Sequence, residues 1–392
     1  MSLKRQLTYL LVATGCILLL PYIGAWIRFD GVFSDDYFEF PPLTAPAKRP
    51  FNMIIFLAIA FCFLVLTLLY FVPRIFGFKK YAPAAKVSRE KIALPTWFWI
   101  GLVLWGGTLA VFIGKFSEPR WLINWAALPL FWGFTLMLDG LVYVRNNRRS
   151  LVNNAPREII GIGVASISGW LIFEFLNFFV DDNWTYPKGS LIPDDEFTIY
   201  AVLGSSGLMP MAFEWYSLFN TFDKFKNKYS FGPKITLPGW LKIVLLVLAF
   251  AGLGIIAYFP DTLFGLLWVA PLIVLAIVLN EIGLWTPFNP IKNGDWSPVL
   301  LMALTYFVQG TLCECWNYLS ATHTAGAGQA VITSNPDYWQ YSIPFINVLH
   351  VFEMPFLGLM GYLPFGIYCG VWWLVFAFLL NIPTRFLNGE LQ

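Results

Sequence analysis

The chain has 392 residues, of which 58% are hydrophobic, 19% aromatic and only 12% charged, and its formal net charge is +2. A soluble domain carries about 25% charged residues, so this is the composition of a membrane protein, and so small a net charge excludes the electrostatic footprint of a nucleic-acid binder. The five cysteines are scattered without a Cys-x-x-Cys pair, which argues against a zinc site or a thioredoxin-like motif.

Apolar runs of about 17 to 25 residues, each long enough to cross a bilayer, recur along the chain. They predict spans near 7–27, 52–72, 97–115, 122–144, 158–180, 199–221, 239–258, 262–284, 298–319, 342–360 and 363–381. The first follows Lys4 and Arg5 and reads as a retained span, because no small-x-small cleavage site stands out before Arg28. The last two are separated only by Gly361-Tyr362-Leu363-Pro364 and can be one broken helix pair. The expected fold is an all-α polytopic transmembrane helical bundle of about ten or eleven spans.

Charge alternates between the connecting loops. Arg74, Lys79, Lys80, Lys86, Arg89 and Lys91 fall in one, Arg145, Arg148, Arg149 and Arg157 in a second, and Lys224, Lys226, Lys228 and Lys234 in a third. The loops between them carry Asp35-Asp36, Asp181-Asp182 and Asp194-Asp195-Glu196. Excess Lys and Arg mark the cytoplasmic side. The N-terminus and the basic loops are therefore expected in the cytoplasm, with the chain in a bacterial inner membrane.

A set of acids recurs inside these spans in one order. Glu174 and Asn177 stand three residues apart in Phe-Glu-Phe-Leu-Asn, and Glu314 and Asn317 in Cys-Glu-Cys-Trp-Asn. A Trp-x-Tyr element follows each, Trp184/Tyr186 and Trp339/Tyr341, and then a Phe-Glu pair, Phe213-Glu214 and Phe352-Glu353. Pro129…Asp139 and Pro271…Glu281 repeat as well. The order predicts an N-terminal two-span segment (1–96), a first repeat of four spans (97–238), and a second of four spans plus a C-terminal span (239–392). An even number of spans gives both copies one orientation, so they are expected to pack face to face about a pseudo-two-fold axis.

Acids within a span usually face a protein interior or a wet cavity. Glu174, Glu314, Glu214 and Glu353 are therefore candidate proton donors or ligand contacts. His350 joins them, because it precedes Glu353 by three residues in the predicted 342–360 span. Asn177, Asn317, Trp184, Tyr186, Trp339 and Tyr341 are candidate substrate contacts. The plainer alternative is that each Glu-x-x-Asn face clamps a neighbouring helix through hydrogen bonds. Asp139 and Glu281, near inner helix ends, are expected to reach the headgroups or a loop arginine such as Arg145 or Arg148. His350 and the loop residue His323 are the only histidines, which disfavours a bis-histidine haem and a di-iron centre built on Glu-x-x-His pairs. No nucleotide motif is present, no metal site is expected, and no cofactor is indicated. The polar segment 320–340 is a candidate partner or lid surface.

Cys-Glu-Cys-Trp-Asn-Tyr (313–318), Trp-Gln-Tyr-Ser-Ile-Pro-Phe (339–345) and Val-Phe-Glu-Met-Pro-Phe-Leu-Gly-Leu-Met-Gly-Tyr-Leu-Pro-Phe (351–365) carry one resemblance. With Leu-Asp-Gly-Leu-Val-Tyr (138–143) and Phe-Glu-Phe-Leu-Asn (173–177), these runs resemble a family of bacterial polytopic membrane proteins over about 97–380. That resemblance implies a fold and brings no activity with it. Pro210-Met-Ala-Phe-Glu214 and Glu353-Met-Pro355 are more faintly similar to the Pro-x-Glu-Glu motif of membrane lycopene cyclases and related carotenoid-modifying proteins, without the adjacent paired acids. This second resemblance implies that Glu214 and Glu353 protonate a polyene.

The function expected is a pocket between the repeats, lined by aromatic residues and buried carboxylates, that binds or modifies a lipid-soluble isoprenoid, carotenoid or quinone. Two alternatives stay open: a non-catalytic subunit scaffolding a larger membrane complex, and a carboxylate-based proton- or cation-coupled transporter. Whether the chain is an enzyme is open. Its expected partners are the lipid bilayer, a lipid-soluble small molecule and other membrane subunits.

Overall fold

The computed structural model describes residues 1–44, 50–81, 91–187, 191–323, 332–333 and 335–387. Lys86, Arg89 and the 324–331 part of the polar loop lie outside them. The main helices are α1 (Leu3–Arg28), α2 (Met53–Phe71), α3 (Thr96–Gly114), α4 (Ala127–Arg145), α5 (Pro156–Asn177), α6 (Asp194–Ser205), α7 (Leu208–Asn220), α8 (Gly239–Ile255), α9 (Leu266–Glu281), α10 (Ser297–Leu319) and α11 (Tyr362–Leu380). Six two-residue strands accompany them: β1 (Trp184–Thr185), β2 (Ala321–Thr322), β3 (Ile332–Thr333), β4 (Gln340–Tyr341), β5 (His350–Val351) and β6 (Met354–Pro355).

Helices prevail because a backbone in lipid must satisfy its own N–H and C=O groups. Among the described residues, eight helical segments are long and apolar enough to cross a bilayer. They are α1, α2, α3, α4, α5 and α8 each with its 3-10 extension, α10, and α11 with the 3-10 turn that leads into it. The chain is therefore an integral membrane protein with a multi-pass helical bundle. Helix α2 has no buried residue, as expected of a helix that faces lipid. Its start is fixed by Asn52, whose side chain accepts from the N–H groups of Ile54 and Ile55. Helix α9 is apolar but shorter, and α6 and α7 are halves of one helix broken at Ser206-Gly207.

The helices after α2 pack as two sets with matching neighbours. Helix α3 lies on α4 as α8 lies on α9, and α4 lies on α7 as α9 lies on α11. Across the junction, α7 packs on α10 as α11 packs on α5. The sets also join through β1 and β4, an antiparallel pair with Trp184 opposite Tyr341 and Thr185 opposite Gln340. Helix α1 packs on α8 and α9. Gly24 makes that approach possible, because a Cβ there would stand 1.9 Å from the carbonyl oxygen of Gly254.

The predicted 342–360 span is not a helix. This segment follows directly after β4 and holds β5, β6 and most of the 3-10 turn Phe356–Gly361. Pro344 and Pro355 remove backbone donors, and Phe345, Leu349 and Phe352 all have positive φ, which an α-helix does not allow. The helix that completes the second set is α11, so no additional C-terminal span follows it among the described residues.

That shift also changes which residues correspond. Gly207-x-x-Pro210 begins α7 and Gly361-x-x-Pro364 begins α11. Counted from those prolines, Glu214 matches Tyr368, and the Phe352-Glu353 pair has no counterpart in α7.

Candidate functional site

Each Glu-x-x-Asn element builds the same small assembly near the C-terminal end of its helix. On α5, Glu174 Oε1 accepts from Trp184 Nε1 at 3.0 Å and from the Tyr186 hydroxyl at 2.7 Å. Asn177, on the same face one turn on, donates to the Trp184 carbonyl at 2.9 Å and accepts from the Asn183 N–H at 2.8 Å. On α10, Glu314 Oε1 accepts from Trp339 Nε1 at 3.3 Å, from the Tyr341 hydroxyl at 2.9 Å, and from the Tyr362 hydroxyl. Asn317 donates to the Trp339 carbonyl at 2.8 Å and accepts from the Trp339 N–H at 3.1 Å.

The spacing explains itself in these contacts. The asparagine pins the backbone of the following strand, and the strand's alternation aims both Trp and Tyr at the glutamate. The two elements therefore do not mainly clamp neighbouring helices: of the five donors to the two glutamates among the described residues, only Tyr362 comes from a helix.

Both glutamates are buried, Glu174 at 5% exposure and Glu314 at 0%. In each the second oxygen, Oε2, is shielded from solvent and has no hydrogen-bond partner among the described residues. Buried polar atoms are nearly always partnered, so two orphaned carboxylate oxygens in equivalent places mark the site.

A cavity of about 180 Å³ lies between the two sets of helices. Its walls include Trp170, Phe173, Trp184 and Trp268, with Glu174 and Tyr186 from one unit and Asn317, Tyr341 and Tyr362 from the other. Glu314 stands behind this wall, reached through Tyr341 and Tyr362. No Lys, Arg or His lines the cavity among the described residues.

Asp337 also lines it, a residue that sequence reasoning missed. Its N–H donates to the Asn335 side chain at 3.0 Å, forming a turn that carries the carboxylate inward. Both carboxylate oxygens are shielded and lack hydrogen-bond partners among the described residues. Burial pushes this carboxyl up to about 7. The available signal was Asn335-Pro336-Asp337 just before Trp339, which reads equally well as a solvated turn. Tyr362 was hidden in the same way, within what read as a helix break.

Glu353 and His350 do not share that cavity. Glu353 lies in the turn between β5 and β6, where it accepts from the Tyr338 hydroxyl. His323 Nδ1 is 3.4 Å from the same oxygen. Burial raises the Glu353 carboxyl, while Tyr338 and His323 oppose that rise. His350 is exposed on β5, with Nε2 3.2 Å from Asn347 Oδ1. Their pairing depended on a helix in which residues three apart share a face, and the hairpin removes it.

Glu214 does not line the cavity either. It is fully buried on α7 beside the Asp139 carboxyl of α4, and both its carboxyl oxygens are shielded without a hydrogen-bond partner among the described residues. Two carboxyl groups can bond only by sharing a proton. Asp139 accepts from Trp97 Nε1 at 2.8 Å, Ser150 Oγ at 2.9 Å and the Val152 N–H at 2.8 Å. It is fully buried and reaches neither headgroups nor a loop arginine through these bonds. Its sequence counterpart Glu281 behaves differently, pairing with Lys242 on α8 at 2.7 Å near the surface. Glu158, at the start of α5, lies on the Glu214 side of this region and accepts from the Arg385 N–H at 3.0 Å. Glu158 and Glu174 are sixteen residues apart on one helix, about 24 Å along its axis. The two groups of carboxyls therefore stand toward opposite ends of the bundle.

Comparison with protein families, with curated proteins and with solved structures found no match for this chain.

Proposed function

We propose that the protein binds a small lipid-soluble molecule in the cavity between its two helical sets, the broad class to which isoprenoids, carotenoids and quinones belong. The observation that carries this reading is Glu174: a buried carboxylate with one oxygen held by Trp184 and Tyr186 and the other bare, in the wall of a mainly aromatic cavity. Ligand sites combine apolar walls with a few placed polar groups in this way. The volume is below the about 300–1,000 Å³ of a drug-sized pocket, so it suits a ring or a head group rather than a whole polyene.

Purification in a mild detergent, followed by mass spectrometry and an absorption spectrum of what co-purifies, tests the reading. A stoichiometric lipid-soluble molecule, lost in Glu174→Gln, is expected. A ligand-free protein held to other membrane subunits would favour the scaffold role instead.

The orientation we propose is that of a bacterial inner-membrane protein with its N-terminus and basic loops in the cytoplasm. Two basic segments meet where the Lys79 N–H donates to Phe231. Arg145 joins this side of the bundle through Thr221. Labelling of single cysteines placed at Lys79 and at Asp194 by a membrane-impermeant reagent in intact cells should mark only Asp194.

A further inference from the structure

We infer that the group seated in this cavity is an organic cation, a quaternary ammonium or protonated amine at the head of an amphiphile. This inference rests on the ligand-binding reading above and narrows it.

The first ground is charge. Glu174 and Asp337 supply three shielded carboxylate oxygens without partners, Oε2 of the first and both of the second. Glu314 adds a fourth just behind the wall. No cationic side chain lines the cavity among the described residues. Buried charges in proteins are paired or neutralised, and a ligand that brings a positive charge supplies what the walls lack.

The second ground is the donors. Among the described residues, every side-chain donor to the two glutamates is a Trp or Tyr, and in each glutamate the donors converge on a single oxygen. The arrangement orients each carboxylate and leaves its other oxygen available.

The third ground is the wall itself. Phe173 and Trp268 stack with ring centroids 5.1 Å apart, and Trp184 lies 5.7 Å from Trp268. Aromatic faces attract ammonium groups through the ring quadrupole, and Trp is the strongest of them. A neutral quinone or hydrocarbon end group would use the same faces but would leave the carboxylate oxygens without a partner.

Isothermal titration calorimetry in nonionic detergent tests this with three probes: decyltrimethylammonium, its uncharged tert-butyl isostere, and a decyl quinone. The ammonium should bind saturably, and the isostere and quinone should bind at least about tenfold more weakly. Glu174→Gln should weaken the ammonium by a similar factor while leaving the isostere unchanged. Asp337→Asn, outside the helices, gives the same reading should the first variant not fold. Equal binding of the neutral probes, or ammonium binding unchanged in the variants, overturns the cationic head and leaves the pocket standing. Binding by none of the three overturns both.

Discussion

Trp184 and Tyr341 face each other across the β1–β4 pair, and each donates its side-chain hydrogen bond to the glutamate of its own unit, Glu174 and Glu314. The junction of the two units is therefore also the scaffold of both carboxylates. Thr185 opposite Gln340 is the midpoint of the relationship, because Trp184 and Tyr186 mirror Tyr341 and Trp339 about it.

Removing single donors should show that the two assemblies are alike but unequally supported. Tyr186→Phe leaves Glu174 with Trp184 alone, and Tyr341→Phe leaves Glu314 with Trp339 and Tyr362. A hydrogen bond to a charged group contributes about 1.5–3 kcal/mol. Thermal unfolding in detergent should place Tyr186→Phe at that loss and Tyr341→Phe at roughly half of it. Equal losses would show that Tyr362 does not share the load.

Asp337 makes stability depend on pH with a definite sign. Its carboxyl moves from the ordinary 3.8 to about 7 because it is buried. The folded chain therefore holds that proton more tightly than the unfolded chain. The stabilisation is fully present below about 4 and is lost as pH rises through about 7. The shift corresponds to on the order of 4 kcal/mol across that window. Melting temperature in detergent should fall between pH 5 and pH 8, and Asp337→Asn should flatten the fall. A variant with an unchanged slope would assign the dependence elsewhere, with Glu353, whose carboxyl is also raised, as the next group to substitute.

Much of this was legible in the residues because it is local. Apolar runs mark membrane crossings by transfer energy alone, and the Glu-x-x-Asn and Trp-x-Tyr elements announce the assemblies through helix and strand periodicity. The segment 342–360 misled for a physical reason. Hydropathy counts side chains and is blind to Pro344, Pro355 and the positive φ of Phe345, Leu349 and Phe352. That one misreading carried Glu353 and His350 into a span and paired Glu353 with Glu214. Asp337 was illegible because its burial comes from the fold around a short turn, which no local pattern encodes.

The approach of α1 to the second unit depends on Gly24. A Cβ there would meet the Gly254 carbonyl oxygen at 1.9 Å, a backbone atom that cannot swing aside. Gly24→Ala should therefore push α1 off α8 and destabilise by about 1–3 kcal/mol or more. Cross-linking between cysteines placed on α1 and α8 should drop with it. Unchanged cross-linking and melting would mean that α8 shifts at little cost.

The buried pair at the other end of the bundle separates a proton-sharing role from plain packing. Asp139 collects Trp97 of α3, Ser150 and the Val152 N–H, with the buried carboxyl of Glu214 on α7 beside it. Asp139→Ala orphans these donors together and should cost about 3–5 kcal/mol, as breaking a buried polar network does. Glu214→Gln keeps an N–H that can donate to Asp139 without titrating, whereas Glu214→Leu keeps the bulk and removes the donor. If the shared proton holds α4 to α7, Glu214→Gln should melt near the parent temperature and Glu214→Leu well below it. Infrared difference spectra would then show a protonated carboxyl band in the parent that is missing from Glu214→Gln. A Leu variant as stable as the Gln variant would mean that packing, not the proton, joins these helices.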